Sequence, residues 1–336
     1  MFRRTPGVEV RRRSVFAWLC AALSLLSAGS SAMPAAAERE VLKNGIPVIF
    51  EHNDSSAITF LQLLVRGGKR AEPVEKQGLS FLATRLAAEV PDSGKAQELT
   101  RLAARFSVTS RGDFSLINIE CLTVSLEPTL RILSRIVASP LFSGLRVDAI
   151  KKYMAHRSRM DEDDSLIVGH LAALSAFFGS AGYGGPAHGN EESLRAIKGK
   201  DASDFYRRHF SAANILLAVS SDLNKEEILS LLDSAFGSLP QGEPASFAPV
   251  ALRIPGEKKI FIQRETKQSL VSRAFPLGRI TPRGYVLNEL LGNFLGKGSG
   301  SKLWPLRSEA KLAYNVDCRV TQMSEGGMLE AYLETD

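Results

Sequence analysis

Histidines and acidic residues are the side chains with which this sequence could hold a catalytic metal. A zinc site of the common helical type needs His-Glu-x-x-His or His-x-x-Glu-His, because positions i and i+4 share one helix face. None of the five histidines has such a partner. The acidic run from Asp161 to Asp164 could bind a divalent cation, but a solvent-exposed surface is the simpler interpretation. The pattern favours ordinary polar or core roles for the histidines, which are His52, His156, His170, His188 and His209.

Glycines and cysteines are the next candidates for chemistry. Gly296, Gly298 and Gly300 lie in Gly-Lys-Gly-Ser-Gly-Ser, which fits neither the dinucleotide pattern nor the P-loop pattern. Cys121 and Cys318 each lie in a strand-like run, and no Cys-x-x-Cys pair is present. The sequence therefore predicts two buried free thiols rather than a thiolate metal site.

The net charge of +6 is concentrated at the N-terminus. Residues 1–37 carry five arginines and one glutamate, so the remaining residues are nearly neutral and do not indicate a nucleic-acid-binding protein. The arginines precede an apolar run from Val15 and an Ala35-Ala36-Ala37 end, which predicts a secretory signal peptide over 1–37. An uncleaved membrane anchor is the alternative, although the apolar run is short for a span.

Strand and helix patterns alternate from Glu38 onwards. Asn44-Gly45 between two apolar runs predicts a hairpin, and the apolar spacing of residues 78–90 predicts an amphipathic helix. The remaining patterns predict strands at 58–65, 108–110, 114–122 and 215–219, and helices at 98–106, 128–138, 146–160, 165–178, 201–208 and 225–236.

The same order of patterns begins again about 210 residues further on. It comprises strands at 269–277, 313–321 and 328–335 and helices at 284–295 and 302–309. We therefore expect a first domain over 38–245, a linker over 246–256 and a second, repeated domain over 257–336. The second unit ends after its first sheet strands, so we expect either a truncated chain or a second chain that completes the layer, because uncovered apolar faces are rare.

Several short segments, taken in order and at their spacing, are distinctive together. They are Leu42-Lys-Asn-Gly-Ile-Pro-Val, Arg66-Gly-Gly-Lys-Arg-Ala-Glu-Pro, Gly78-Leu79, Tyr183-Gly-Gly-Pro-Ala-His-Gly, Phe236-Gly-Ser-Leu-Pro and Leu306-Arg-Ser-Glu-Ala-Lys-Leu-Ala-Tyr-Asn-Val. Through these segments the chain resembles the pitrilysin/insulinase-type peptidases, especially the branch of mitochondrial processing peptidase and its bacterial periplasmic relatives. The resemblance implies an α+β fold built from a repeated domain, with an antiparallel sheet and helices largely on one face.

The resemblance also implies that the family's zinc site is absent here. Active members carry His-x-x-Glu-His on the helix that begins Gly-Leu, and a glutamate about 75 residues later completes the zinc site. In this sequence the two histidine positions fall on Phe81 and Arg85, and the catalytic glutamate position falls on Thr84. The third ligand position falls on Arg157. We therefore expect neither a metal ligand nor a catalytic residue in this chain.

A different signal lies in the second unit. The noncatalytic subunit of two-subunit members keeps an arginine and a tyrosine seven residues apart, which face the partner's zinc and hold peptide. Arg307 and Tyr314 have this spacing, although Lys311 stands where the family has glycine. A surface salt-bridge arginine and a half-buried strand tyrosine are the structural alternative. The loop with Gly296, Gly298 and Gly300 lies where the noncatalytic subunit of the family has a glycine-rich loop that touches substrate. A flexible turn between two helices is the alternative.

These features together imply a noncatalytic, substrate-binding subunit of a periplasmic zinc peptidase heterodimer that acts on peptides or small proteins. The expected partner is a homologous catalytic subunit that carries His-x-x-Glu-His and the zinc. A stand-alone peptide-binding or scaffold protein with a peptidase-derived fold is the alternative. We expect no cofactor in this chain, no nucleic acid, and membrane contact only through an uncleaved signal.

Overall fold

The first unit is organised around a six-stranded sheet. The computed structural model describes residues 37–90, 92–254 and 256–335, so the predicted signal peptide lies outside the described residues. The strand order is β1-β2-β6-β3-β5-β4, and neighbouring strands are antiparallel except for the parallel pair β2–β6. The strands are β1 (Glu38–Val41), β2 (Pro47–His52), β3 (Ile58–Arg66), β4 (Arg105–Ser110), β5 (Phe114–Leu122) and β6 (Ile215–Ser221).

Helices cover one face of this sheet. Leu61, Leu63 and Val65 of β3 alternate with more exposed residues and pack, with apolar side chains of β2, β5 and β6, into the largest core cluster. The helices are α1 (Leu79–Ala87), α2 (Ser93–Arg101), α3 (Leu126–Ala138), α4 (Gly144–Asp163), α5 (Ser165–Phe178), α6 (Glu191–Ala196), α7 (Gly199–His209) and α8 (Lys225–Phe236). This architecture confirms the predicted α+β fold.

Helix α1 lies between the sheet and a second layer of helices. Its side chains are buried almost all round, and a second core cluster joins them to residues of α4 and α7. Val147, Ile150 and Met154 of α4 contribute to this cluster at helical spacing. The helix at the family's ligand positions is therefore held on both sides.

The second unit contains a three-stranded sheet in the order β7-β9-β8. Its elements are β7 (Ser269–Leu277), α9 (Pro282–Gly296), α10 (Pro305–Ser308), β8 (Asn315–Met323) and β9 (Gly326–Thr335). Helix α9 presents a stripe of small residues to β8, since a Cβ on Gly292 or Gly296 would collide with Val320 or Cys318. The apolar side chains of α9 point outwards instead, and Val286, Leu287, Leu290, Leu291 and Phe294 are exposed.

One predicted helix was wrong at its C-terminal half. The sequence predicts a helix at 98–106, whereas α2 ends at Arg101 and β4 begins at Arg105. Asp92 caps the start of α2 by accepting a hydrogen bond from Lys95 N at 3.0 Å. The chain then reverses through Ala103, whose φ of 52° is left-handed and cannot continue the helix.

Other sequence expectations concern connections and thiols. Between α8 and β7 the described residues form neither helix nor strand, so the irregular segment is longer than the predicted linker over 246–256. Cys121 and Cys318 are both free and buried, as predicted. In the described ranges, no helix combines the length and the apolar character needed to cross a bilayer.

Candidate functional site

The helix that bears the family's ligand positions begins with a strong N-terminal anchor. Gly78 precedes α1 at φ 91°, and a Cβ there would collide with backbone atoms of the 188–189 turn. Glu72 accepts hydrogen bonds from Gly78 N at 3.0 Å and from Ser80 N at 2.8 Å. Burial raises the pKa of Glu72 to about 7, against the opposing effect of these bonds. The carboxylate therefore fixes where α1 starts.

Phe81 fills the first histidine position with an aromatic contact. Its side chain is buried, and its ring stacks on Tyr153 of α4 at 6.3 Å between centroids. Its ring also meets the edge of His188 at 4.8 Å. Such contacts stabilise the packing between α1, α4 and the 188 loop, in a position where a zinc ligand would need a nitrogen lone pair.

The next two positions are equally unsuited to a metal. Thr84 is fully buried, and its Oγ1 donates a hydrogen bond to Ser80 O at 2.7 Å within α1. The hydroxyl proton is therefore given to the helix backbone, and a neutral alcohol is too weak a base to replace the carboxylate that takes a proton from zinc-bound water. Arg85 is half-buried and brings a permanent positive charge to the second histidine position.

A chain of polar contacts occupies the side of α4 where the third ligand would stand. Arg157 Nη2 lies 3.6 Å from Asp161 Oδ1, and His188 Nδ1 lies 2.9 Å from Asp161 Oδ2. The acidic run therefore has structural partners, and Asp164 caps α5 through Leu166 N at 2.8 Å. Among the described residues, no group of three His, Cys, Asp or Glu side chains is arranged to hold a metal. The residues present do not fit the zinc that the family implies.

Arg307 and Tyr314 both reach solvent in the second unit. The Arg307 guanidinium lies over the Trp304 ring at 4.9 Å, and the side chain makes no ion pair within the described residues. Tyr314 is 65% exposed and immediately precedes β8. Its backbone N donates to Glu334 O at 3.0 Å, which extends the β8–β9 pairing by one residue. Neither residue has the geometry of the structural alternative, a salt-bridged arginine and a half-buried strand tyrosine.

The three glycines of the loop between α9 and α10 have different surroundings. Gly296 packs against β8, because a Cβ there would lie 2.0 Å from Cys318 N. Gly298 has φ 80°, and Gly298 and Gly300 face open space. The loop is tied back to α9, since Lys302 N donates to Phe294 O and Leu303 N to Leu295 O. A turn with fixed ends thus exposes two glycine backbones beside Trp304.

Lys311 adopts the backbone conformation that the family's glycine would favour. Its φ is 53°, in the left-handed region that costs an L-residue roughly 1–2 kcal/mol. The strained turn closes through Leu312 N, which donates to Leu306 O at 2.9 Å. The substitution of lysine for glycine therefore leaves the connection from α10 to β8 in place.

A partly buried polar cluster around Asp113 was missed by the sequence analysis. Asp113 accepts hydrogen bonds from Arg70 Nη1 at 3.0 Å, from Ser324 N at 2.8 Å, from Ser324 Oγ at 2.6 Å and from the Tyr183 hydroxyl. Arg70 Nη2 also lies 3.5 Å from Glu325. The cluster joins the β4–β5 turn to the β8–β9 turn, 211 positions away.

Two family profiles match the chain. Residues 47–184 match the insulinase family (peptidase family M16), and residues 196–336 match the peptidase M16 inactive domain. Together these profiles cover most of the described residues, and the chain belongs to the insulinase (M16) peptidase family. The match confirms the family that the sequence predicted.

Sequence relatives include both peptidase and non-peptidase names. The chain is 25% identical over 307 residues to an uncharacterized zinc protease of Rickettsia felis, covering 88% of this chain and 72% of that one. It is 24% identical over 303 residues to the non-peptidase homolog YmxG of Helicobacter pylori, covering 88% and 70%. It is 23% identical to mitochondrial-processing peptidase subunit alpha-1 of Dictyostelium discoideum over 61% of this chain and 32% of that one.

Solved structures share the fold. A peptidase M16 inactive domain from Pseudomonas fluorescens superposes with a TM-score of 0.78 at 21% identity, covering 89% of this chain and 74% of that one. A chain of complex III2 from Candida albicans superposes with a TM-score of 0.74 at 16% identity, covering 89% and 72%. These similarities establish the architecture, and the function has to be argued from the residues of the site.

Proposed function

We propose that this protein is a noncatalytic, substrate-binding subunit of a zinc peptidase heterodimer. The observation that carries the proposal is the filled ligand site. Phe81 packs between Tyr153 and His188 where the family places a metal ligand, while the surrounding fold of α1 and α4 is retained. A chain that keeps the fold without the ligands suits a role beside an active homologue, and the names of two relatives agree with this role.

The test is purification of the complex from the native host. We expect a homologous chain with His-x-x-Glu-His to co-purify, with about one zinc per heterodimer as expected for a single catalytic site. The isolated 336-residue chain should bind no stoichiometric zinc and cleave no peptide. Tight zinc in the isolated chain, with hydrolysis abolished by a chelator, would contradict the proposal.

Arg307 and Tyr314 are the residues proposed to hold the peptide. Both side chains are exposed, and an arginine fork or a phenol hydroxyl can donate to peptide carbonyl or carboxylate oxygens. In the reconstituted complex, Arg307→Ala or Tyr314→Phe should lower peptide turnover while the subunits stay associated. A raised KM with unchanged kcat would indicate ground-state binding, and a lower kcat would indicate help in the transition state. Unchanged kinetics in both variants would assign the pair a structural role.

A periplasmic location is part of the proposal. It is supported by the arginine-rich and apolar N-terminal pattern, which has the order of an export signal. Cell fractionation, followed by N-terminal sequencing of the mature chain, should find the protein in the periplasm with its first residue near Glu38. An intact N-terminus in the membrane fraction would support the anchor alternative.

A scaffold protein is the second candidate. One solved structure of similar fold is a chain of complex III2, and rat cytochrome b-c1 complex subunit 1 is 22% identical over 60% of this chain. A scaffold would co-purify with a stable assembly that lacks any His-x-x-Glu-His chain. The purification described above therefore separates the two candidates.

A further inference from the structure

We propose that Trp304 is a positioning residue that holds Arg307 for peptide binding, an inference that rests on the proposed substrate-binding role. Trp304 immediately precedes α10, and Arg307 lies within that helix. The two are three residues apart, so a single helical turn places the indole beside the guanidinium. The ring centroid lies 4.9 Å from Arg307 Cζ, well within the range of a cation–π contact.

The backbone around Trp304 is fixed on both sides. Its carbonyl accepts hydrogen bonds from Arg307 N at 2.9 Å and from Ser308 N at 3.0 Å. On the other side, Trp304 N donates to Ser301 O at 3.3 Å, and the preceding Leu303 N is bonded to α9. The half-buried indole of Trp304 is therefore attached to a backbone that hydrogen bonds hold in place.

The contact leaves the polar edge of Arg307 available. Within the described residues the guanidinium has neither a carboxylate partner nor a side-chain hydrogen bond, and it lies against the face of the indole. An aromatic face can restrain an arginine without using its five N–H donors. Trp304 thus reduces the side-chain entropy that Arg307 would lose on binding, and the donors stay free for oxygens of the peptide.

The expected effect is on affinity. Immobilising a long side chain costs roughly 0.5–1.5 kcal/mol, which corresponds to about 2- to 12-fold in binding. Trp304→Leu should therefore weaken peptide binding about 3- to 10-fold. Trp304→Phe keeps an aromatic face and should restore affinity to within about twofold.

Fluorescence makes the test possible on this chain without a catalytic partner. The sequence contains two tryptophans, Trp18 and Trp304, so a Trp18→Phe background leaves Trp304 as the sole indole. Arg307→Gln should shift the emission of Trp304, because it removes the guanidinium from the face of the indole. The probe is a pool of unlabelled decapeptides that contain no tryptophan. Their binding is measured by the change in Trp304 emission, and by calorimetry for Trp304→Leu and Trp304→Phe, which lack the indole.

A double-mutant cycle separates positioning from a merely structural role. Trp304→Leu should add no further loss in an Arg307→Ala background, because the indole acts through the guanidinium. Phe294→Leu is the matched control, since it removes the nearby contact of Lys302 with an aromatic ring without touching Arg307. It should leave peptide affinity unchanged.

Each outcome decides between the two proposals. Unchanged affinity in Trp304→Leu, or a loss that adds fully to that of Arg307→Ala, would overturn the positioning role and leave the substrate-binding role intact. Failure of the Trp18→Phe chain to bind any peptide, with its emission spectrum otherwise native, would overturn both.

Discussion

At the residue scale, the side chains that stand at the family's zinc-ligand positions make packing and polar contacts that stabilise the fold. Phe81 gains two aromatic neighbours, and Asp161 is shared between Arg157 and His188. Restoring a single histidine at position 81 would therefore remove a buried phenyl ring and leave the guanidinium of Arg85 beside any incoming cation. At several of the positions where the family places its zinc site, this chain has side chains that serve packing and polar contacts.

Loss of the Asp113 carboxylate should lower the free energy of unfolding, because several hydrogen bonds converge on it. Burial alone would raise its pKa, but the hydrogen bonds from Ser324, Tyr183 and Arg70 outweigh this effect and hold the pKa below its usual range. Asp113→Ala leaves the guanidinium of Arg70, 8% exposed, without its nearer carboxylate partner, so that Glu325 at 3.5 Å is the carboxylate that remains. We expect a loss of about 3 kcal/mol in the free energy of unfolding, measured by urea denaturation.

A surface ion pair provides the control for Asp113. Asp204 pairs with Lys200 and Arg207 on the exposed side of α7. Asp204→Ala should change the stability little, because exposed pairs are screened by solvent. Equal effects of the two substitutions would show that the cluster around Asp113 is no stronger than a surface contact.

His209 should make the protein sensitive to acid. Burial, and secondarily the charge of Arg208, lowers the pKa of His209 to about 4. The residue is 2% exposed and its ring lies between Phe205 and Phe247, while a backbone contact with Arg66 favours the protonated form but is outweighed by burial. The unfolded chain binds the proton more readily, so stability is lost as pH falls from about 6.5 towards 4.

The pH dependence of a variant isolates this effect. His209→Phe keeps the aromatic packing and removes the titrating group, so its unfolding free energy should fall less between pH 6.5 and 4 than that of the wild type. Other titrating groups, Glu72 among them, cancel in the difference between the two proteins. Parallel pH profiles would contradict an unprotonated buried imidazole.

At the element scale, local sequence patterns predicted most helices and strands, but they did not predict contacts between residues far apart in sequence. The spacing of apolar residues in 78–90 identified α1, because a helix with one or more buried faces repeats at three and four residues. The end of α2 was placed wrongly, because the turn at Ala103 depends on a left-handed residue with no glycine signal. Asp113 was missed since its partner Ser324 is remote in sequence.

The candidate site was predictable to a different extent. Spacing and family context identified Phe81, Thr84, Arg85 and Arg157 as unsuited to zinc, and the structure explains their packing. The contact of Arg307 with Trp304 follows from a turn of α10 that the pattern alone did not single out.

The α10–β8 connection offers a direct test of backbone strain. Lys311 has φ 53°, a conformation that glycine adopts freely, so Lys311→Gly should raise the free energy of unfolding by about 1 kcal/mol. Lys297 follows α9 with φ −88°, and Lys297→Gly should be neutral or destabilising. Thermal and urea unfolding of the two variants measure the contrast. A loss of stability in Lys311→Gly would show that the lysine side chain makes an unrecognised contribution.

At the scale of the whole molecule, the two units differ in how completely their apolar surfaces are covered. In the first unit β3 pairs with both β5 and β6, and α1 is covered by α4 and α7. In the described part of the second unit β7 pairs with β9 and lies at the edge of the sheet, and Val271 and Phe275 are exposed on one face of this edge strand. The exposed apolar residues of α9 lie in the same unit.

This difference predicts that the 336-residue chain associates when it is expressed alone. A free strand edge and a contiguous apolar face are both sites at which chains pair, so light scattering after gel filtration should give a mass above that of one chain at micromolar concentration. Replacing Val271 with Lys and Leu290 with Glu together should shift the chain towards the monomer, because each places a charge on one of the two surfaces. Leu145→Glu is the control, since Leu145 is an exposed apolar residue of α4 that belongs to neither β7 nor α9, and its replacement should leave association unchanged. A wild-type chain that runs as a monodisperse monomer and melts cooperatively would contradict the prediction.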